Sequence, residues 1–143
     1  MKASVIFIFS FIHLFCYAEN NRSQNQIYFY EPSIVSLSGK VHKQTFPGRP
    51  NYQDVGSGDR LETHWILHLE NPISVLPKEG KTLDGLNSPE YNVRNVQIVI
   101  MSEYPFSFEN GNRYKIVGTL FHAISGHHHT LVLVELKNAE EMK

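Results

Sequence analysis

Period-two alternation of apolar and polar residues, recurring in five stretches and never giving way to a three-turn amphipathic helix, restricts this chain to a β fold. The clearest stretch is residues 34–41. There Val35, Leu37 and Val41 fall on one side, and Ser36, Ser38 and Lys40 on the other. That spacing is the pattern of a half-buried strand, because successive strand side chains point to opposite faces. Gly39 falls on the inner side, where a missing side chain admits a second backbone or lets the strand coil sharply.

The remaining stretches repeat the pattern. Residues 63–69 place Trp65, Leu67 and Leu69 opposite His64, Ile66 and His68. Asn71-Pro72 is expected to end that strand, with residues 73–76 as a continuation across a kink. Residues 93–101 are apolar on both faces toward their end, which suits a central strand, and residues 113–123 and 130–136 complete the set. Between them, Pro47 to Arg60 is dense in turn formers and reads as a long loop. Residues 102–112 read as a connector whose Tyr104, Phe106 and Phe108, at alternate positions, pack against some other part of the chain, closed by the turn Glu109-Asn110-Gly111-Asn112. Five strands with a long first loop and a terminal hairpin point to a mostly β fold. A small five-stranded antiparallel barrel resembling the oligonucleotide and oligosaccharide binding fold (OB-fold) is expected, with a β-sandwich as the alternative.

The first 18 residues read as a secretory signal peptide: Lys2, an apolar run to Phe15, then Cys16-Tyr17-Ala18 ahead of polar Glu19. The run is too short for a membrane span, which needs roughly 20 apolar residues. The chain is thus expected to be exported, to the periplasm or the medium, with no membrane span after cleavage. Residues 19–27 read as a flexible leader, 28–137 as one β domain and 138–143 as a charged tail. Loss of Cys16 leaves a chain without cysteine, so stability must come from the core, for which about 125 residues suffice. Lys2 and His13 also leave, turning 13 basic against 14 acidic residues into 12 against 14. No cluster of Lys and Arg is present to displace counterions from phosphates, so nucleic acid is not an expected partner.

Four of the eight histidines lie in residues 118–130, Gly-Thr-Leu-Phe-His-Ala-Ile-Ser-Gly-His-His-His-Thr. This run, with Phe46 to Tyr52 and Trp65 to Ile73, resembles short exported bacterial proteins of the domain of unknown function 4431 family, over most of the chain after residue 18. The resemblance implies a bacterial, envelope-located domain and carries no catalytic residue across.

A hairpin turning at Ser125-Gly126 would pair His122 with His129 and put His122, His127 and His129 on one face, with His128 on the other. A turn at Gly126-His127 would keep His122 and His129 on a shared face and spend His127 in the turn. Paired strand residues sit about 4.5 to 5.5 Å apart at Cβ, close enough for two imidazoles to share zinc or copper. The competing reading is a polar hairpin tip, since no acidic or cysteine ligand lies nearby in sequence. His64 and His68 lack the acid of a His-Glu-x-x-His helix, and on a strand their rings stand about 13 Å apart, so both read as outward strand residues. Ser57 lies between Gly56 and Gly58, but Val55 and Asp59 occupy the outer glycine positions of a nucleophile elbow. In the first loop Arg49, Asn51, Tyr52 and Asp59 form a candidate binding set.

No nucleophile or acid-base pair can be recognised, which weighs against an enzyme. The sequence reads as a non-catalytic exported binding domain whose partner is an envelope protein or a glycan, requiring no cofactor. The alternative is a transition-metal protein using His122, His127 and His129.

Overall fold

The computed structural model describes residues 25–78, 86–101 and 106–143. The expected signal peptide, most of the leader, Tyr104 and part of the loop after Pro77 lie outside the described residues. The described residues form six strands: β1 (Gln26–Phe29), β2 (Ile34–Pro47), β3 (Leu61–Leu76), β4 (Glu90–Val99), β5 (Arg113–His122) and β6 (Val132–Glu141). The fold is mostly β, and among the described residues the helical content is a single 3-10 turn at Val55–Ser57. No helix among those residues is long and apolar enough to cross a membrane.

All six strands form one sheet in the order β1-β3-β2-β5-β6-β4, and a further β3–β4 pairing returns the sheet on itself. Strands β2, β3, β4, β6 and β5 therefore follow one another around a ring of hydrogen bonds. This is one sheet rather than the two of a sandwich, and its pairing order resembles that of the OB-fold. Five antiparallel strands are expected from the sequence, but the described residues form six and two pairings are parallel, β4 with β6 and β1 with β3. Parallel closure joins strands distant in sequence, which local periodicity does not encode.

Gly39 explains how one strand serves two neighbours. Strand β2 pairs with β5 through residues 34–40 and with β3 through residues 39–47, so the ladders change over at Gly39. A Cβ there would sit 2.2 Å from the His68 carbonyl oxygen. Gly118 has the same relation to the Glu135 carbonyl oxygen, 2.2 Å away, where the β5–β6 register shifts. At both places glycine admits a backbone too close for any side chain.

Strand β3 does not end at Asn71-Pro72, and residues 73–76 continue it past an irregularity, the extension across a kink that the sequence also allows. Its register against β4 shifts between His68 and Ile73, and a proline that cannot donate is tolerated at such an irregularity. Beyond it, Ile73 to Leu76 pair with β1, which begins at Gln26 inside the expected leader. The expected charged tail is also largely strand. Tyr114 to Val117 of β5 pair with Asn138 to Glu141 of β6.

The interior holds Val35, Leu37 and Val41 of β2 with Leu67, Val96, Ile116, Leu120, Val132 and Val134 from the other strands. Each such side chain removed from water contributes roughly 1.5 to 3 kcal/mol. Phe108 fits edge-on between Trp65 and Tyr114, with centroids 5.5 and 4.9 Å away, so Phe106 and Phe108 of the connector pack on the core.

Candidate metal centre

Residues directly opposite in a ladder share a face, so pairing maps the outside of the ring. Phe46 lies opposite Glu62, Gln44 opposite His64, and His42 opposite Ile66, which lies opposite Gln97, itself opposite Leu133. These residues alternate with the core set and point outward, yet Ile66, Gln97 and Leu133 are fully buried. A second layer covers them.

That layer includes the connection between β5 and β6. The expected hairpin with a two-residue turn does not form. His122 pairs with Val132 rather than His129, and Ala123 N–H donates to the Leu131 carbonyl at 2.9 Å across a nine-residue loop, 123–131. Inside it, His128 N–H donates to the Ser125 carbonyl, and His128 Nδ1 accepts from Ile124 N–H at 2.9 Å. The reason for the departure is Gln97. Its amide donates to the His127 carbonyl at 2.8 Å and accepts from His129 N–H at 2.7 Å, while its own N–H donates to the Thr130 hydroxyl at 2.9 Å. A buried primary amide must find such partners, and here they are the loop backbone.

With the loop laid over the sheet, His129 arrives above β3. Its Nε2 lies 2.5 Å from Glu62 Oε1, and His64 Nε2 lies 3.1 Å from the same oxygen. One potential ligand atom each from Glu62, His64 and His129 lies within 4.8 Å of the others. Phe46 stacks flat on the His129 ring, centroids 4.1 Å apart and planes 2° from parallel. The His129 side chain is 11% exposed and Glu62 17%, so the group is shielded but not sealed.

The charge state of Glu62 follows from these neighbours. Burial pushes its carboxyl upward, but hydrogen bonds from His129, His127 and His64 outweigh this and hold it at about 2, against an ordinary 4.5. His128 moves down for two reasons: burial first, then the neighbouring His127, His129 and His64. Both causes favour the neutral ring, whose Nδ1 can accept the Ile124 N–H.

His127 and His122 do not join the group as the sequence suggested. His127 Nδ1 lies 2.7 Å from Glu62 Oε2 and its Nε2 lies 2.8 Å from the Tyr52 hydroxyl, so both ring nitrogens are engaged beside the cluster. His122 turns to another carboxylate. Its Nε2 lies 2.9 Å from Glu90 Oε1, its Nδ1 lies 3.1 Å from the Ala123 carbonyl, and it borders a cavity of about 250 Å³ with Asn87 and Phe121. His64, read as a plain outward residue, is in the group. His68 is not, and meets Gln44 and His42 instead.

The first-loop candidates serve mainly internal roles. Asp59 is buried and accepts backbone N–H bonds from Asn51, Gln53 and Asp54 at 2.7, 2.8 and 3.0 Å, which hold its carboxyl below its ordinary value, Gln53 foremost. Arg49 Nε donates to the Tyr52 hydroxyl at 3.2 Å. Asn51 is exposed and contributes its backbone N–H. Sequence reasoning missed Glu62, whose one trace was its place two residues before His64 on the same strand face, and Gln97, whose one trace was a polar residue amid an apolar strand.

No curated protein and no solved structure matches the chain. Of the three segments behind the family resemblance, only residues 118–130 fall within the match to a family model. Residues 95–140, which hold Gln97 and the whole 123–131 loop but neither Glu62 nor His64, match the family described as Domain of unknown function (DUF4431).

Proposed function

We propose that this protein is a non-catalytic binding domain for a divalent transition metal, with Glu62, His64 and His129 as ligands. The observation that carries this reading is the convergence of three ligand atoms from a strand and a distant loop within 4.8 Å. Two imidazoles and one carboxylate form a donor set that suits zinc, and three protein ligands leave one position of a tetrahedral ion open. Calcium and magnesium prefer oxygen donors, so the two nitrogens favour the transition ions. Internal use of Arg49, Tyr52 and Asp59 moves weight away from a protein or glycan partner on the first loop. We place the domain outside the cytoplasm because residues 1–18 read as a secretory signal.

Metal analysis of untagged protein and calorimetric titration with Zn²⁺ test the reading. One equivalent should bind, and at a hundredfold excess over Kd the added stability is about 2.7 kcal/mol, a rise in melting temperature on the order of 10 °C. Substoichiometric zinc, copper and nickel with no thermal shift would remove the proposal.

A further inference from the structure

The metal reading leaves one set of contacts unexplained: a line of polar groups running from the first loop to the far side of Glu62. Arg49 Nε lies 3.2 Å from the Tyr52 hydroxyl, that hydroxyl 2.8 Å from His127 Nε2, and His127 Nδ1 2.7 Å from Glu62 Oε2. An arginine N–H can only donate, and an ionised carboxylate can only accept. With His127 neutral, one arrangement gives each group a partner. Arg49 donates to the Tyr52 oxygen, Tyr52 O–H donates to His127 Nε2, and His127 Nδ1–H donates to Glu62 Oε2. The Tyr52 hydroxyl thereby selects the His127 tautomer that holds the carboxylate.

The two oxygens of Glu62 are then unequal. Oε2 is held by His127, whereas Oε1 faces His64 at 3.1 Å and His129 at 2.5 Å. The local backbone is arranged around this line. Tyr52 has φ 59°, in the left-handed region that a bulky side chain rarely adopts, and strain of that kind collects where position matters. Gly126, next to His127, lies against the Tyr52 ring so closely that a Cβ would come within 2.4 Å of it. The ring is in turn set edge-on to His127, centroids 4.9 Å apart.

We infer, resting on the metal reading above, that His127 and Tyr52 are positioning residues that fix Glu62 as a one-oxygen ligand, so that the centre takes a four-coordinate ion such as zinc. Neither residue would itself be a ligand of the ion. Groups of this kind orient a ligand and typically change metal affinity by 10- to 100-fold when lost. Release of Oε2 would let the carboxylate chelate with both oxygens and raise the coordination number.

The test uses the full-length protein as purified after export, Tyr52→Phe and His127→Ala, with Zn²⁺ alone and Co²⁺ alone as probes. Tyr52→Phe keeps the ring against Gly126 and removes the hydroxyl. Both variants are expected to bind Zn²⁺ about 10- to 100-fold more weakly. The metal-free melting temperature of Tyr52→Phe should stay at the wild-type value. Its Co²⁺ complex should lose d–d absorption intensity as the coordination number rises above four, a change that a merely structural role would not produce. Wild-type Zn²⁺ affinity in Tyr52→Phe, or weaker binding with an unchanged Co²⁺ spectrum, would overturn the inference and leave the metal reading standing. Absence of Zn²⁺ binding by the wild type would overturn both.

Discussion

Two carboxylates take up the histidines at the two ends of the same loop, and they do so differently. Glu90 receives one imidazole, His122, where β5 ends. Glu62 receives three, His64 from its own strand and His127 and His129 from the loop. His122 and His129 are seven residues apart and would share a face on a tight hairpin, yet they reach different acids. Glu62 and His129 are 67 residues apart and touch. Proximity in a β fold follows the ladder and whatever is laid across it, not the interval along the chain.

Removing ligands should separate the two sites most sharply. Glu62→Ala or His129→Ala is expected to weaken Zn²⁺ binding by more than about 100-fold, beyond the range seen for outer-shell groups, while His122→Ala leaves it unchanged. Isothermal titration of the three variants decides this, and equal losses in all three would erase the distinction. The next largest effect concerns what lays the loop across β3. Gln97→Leu removes the amide that binds the His127 carbonyl and the His129 N–H, and should cost about 2 kcal/mol in urea unfolding, with loss of Zn²⁺ binding. Stability and affinity equal to wild type would show that the loop holds its place without Gln97.

Acid titration probes the Glu62 site itself. A carboxyl held at about 2 when folded, against 4.5 ordinarily, contributes stability that is fully present above 4.5 and is lost as pH falls toward 2. Metal-free wild type should therefore lose stability between pH 4.5 and pH 2 by more than Glu62→Gln, which has no proton to take up there. Parallel curves from chemical unfolding at a series of pH values would contradict that ionisation. The smallest effect is expected at Asn51, which is exposed and reaches Asp59 through its backbone N–H and, as the weakest of that carboxylate's contacts, through its side chain. Asn51→Ala should change stability by under about 0.5 kcal/mol and leave Zn²⁺ binding unaltered.

Much of the fold was legible because it is local. The alternation at Val35, Leu37 and Val41 states which side of β2 is buried, and all three are in the core. Gly39 allowed either a close backbone approach or a sharp coil of the strand, and the His68 carbonyl makes the approach. Asn71-Pro72 misled because the penalty for proline depends on the ladder, and the ladder shifts there. Strand β1 was hidden because four residues, Gln26 to Phe29, are too few for a period of two to show, and the end of β6 because polar composition says nothing about a segment that pairs through its backbone.

The candidate site was half legible. The histidine-rich run drew attention to His127 and His129, but not to the acid that gathers them. His64 looked ordinary because its relation to His68 invites a helical comparison, while its relevant neighbour, Glu62, is two residues away on the same strand face.

By itself, the sequence determined the class of fold, the buried face of the main strands and the imidazoles available for chemistry, because strand periodicity and residue type are local properties. Only the tertiary structure decided which imidazoles meet and around which acid. That choice depends on β3 pairing with β4, which places Gln97 opposite Ile66, and on Gln97 drawing the 123–131 loop over the sheet toward Glu62 and His64. A buried amide must satisfy its hydrogen bonds wherever the fold puts it, and no spacing along the chain records where that is.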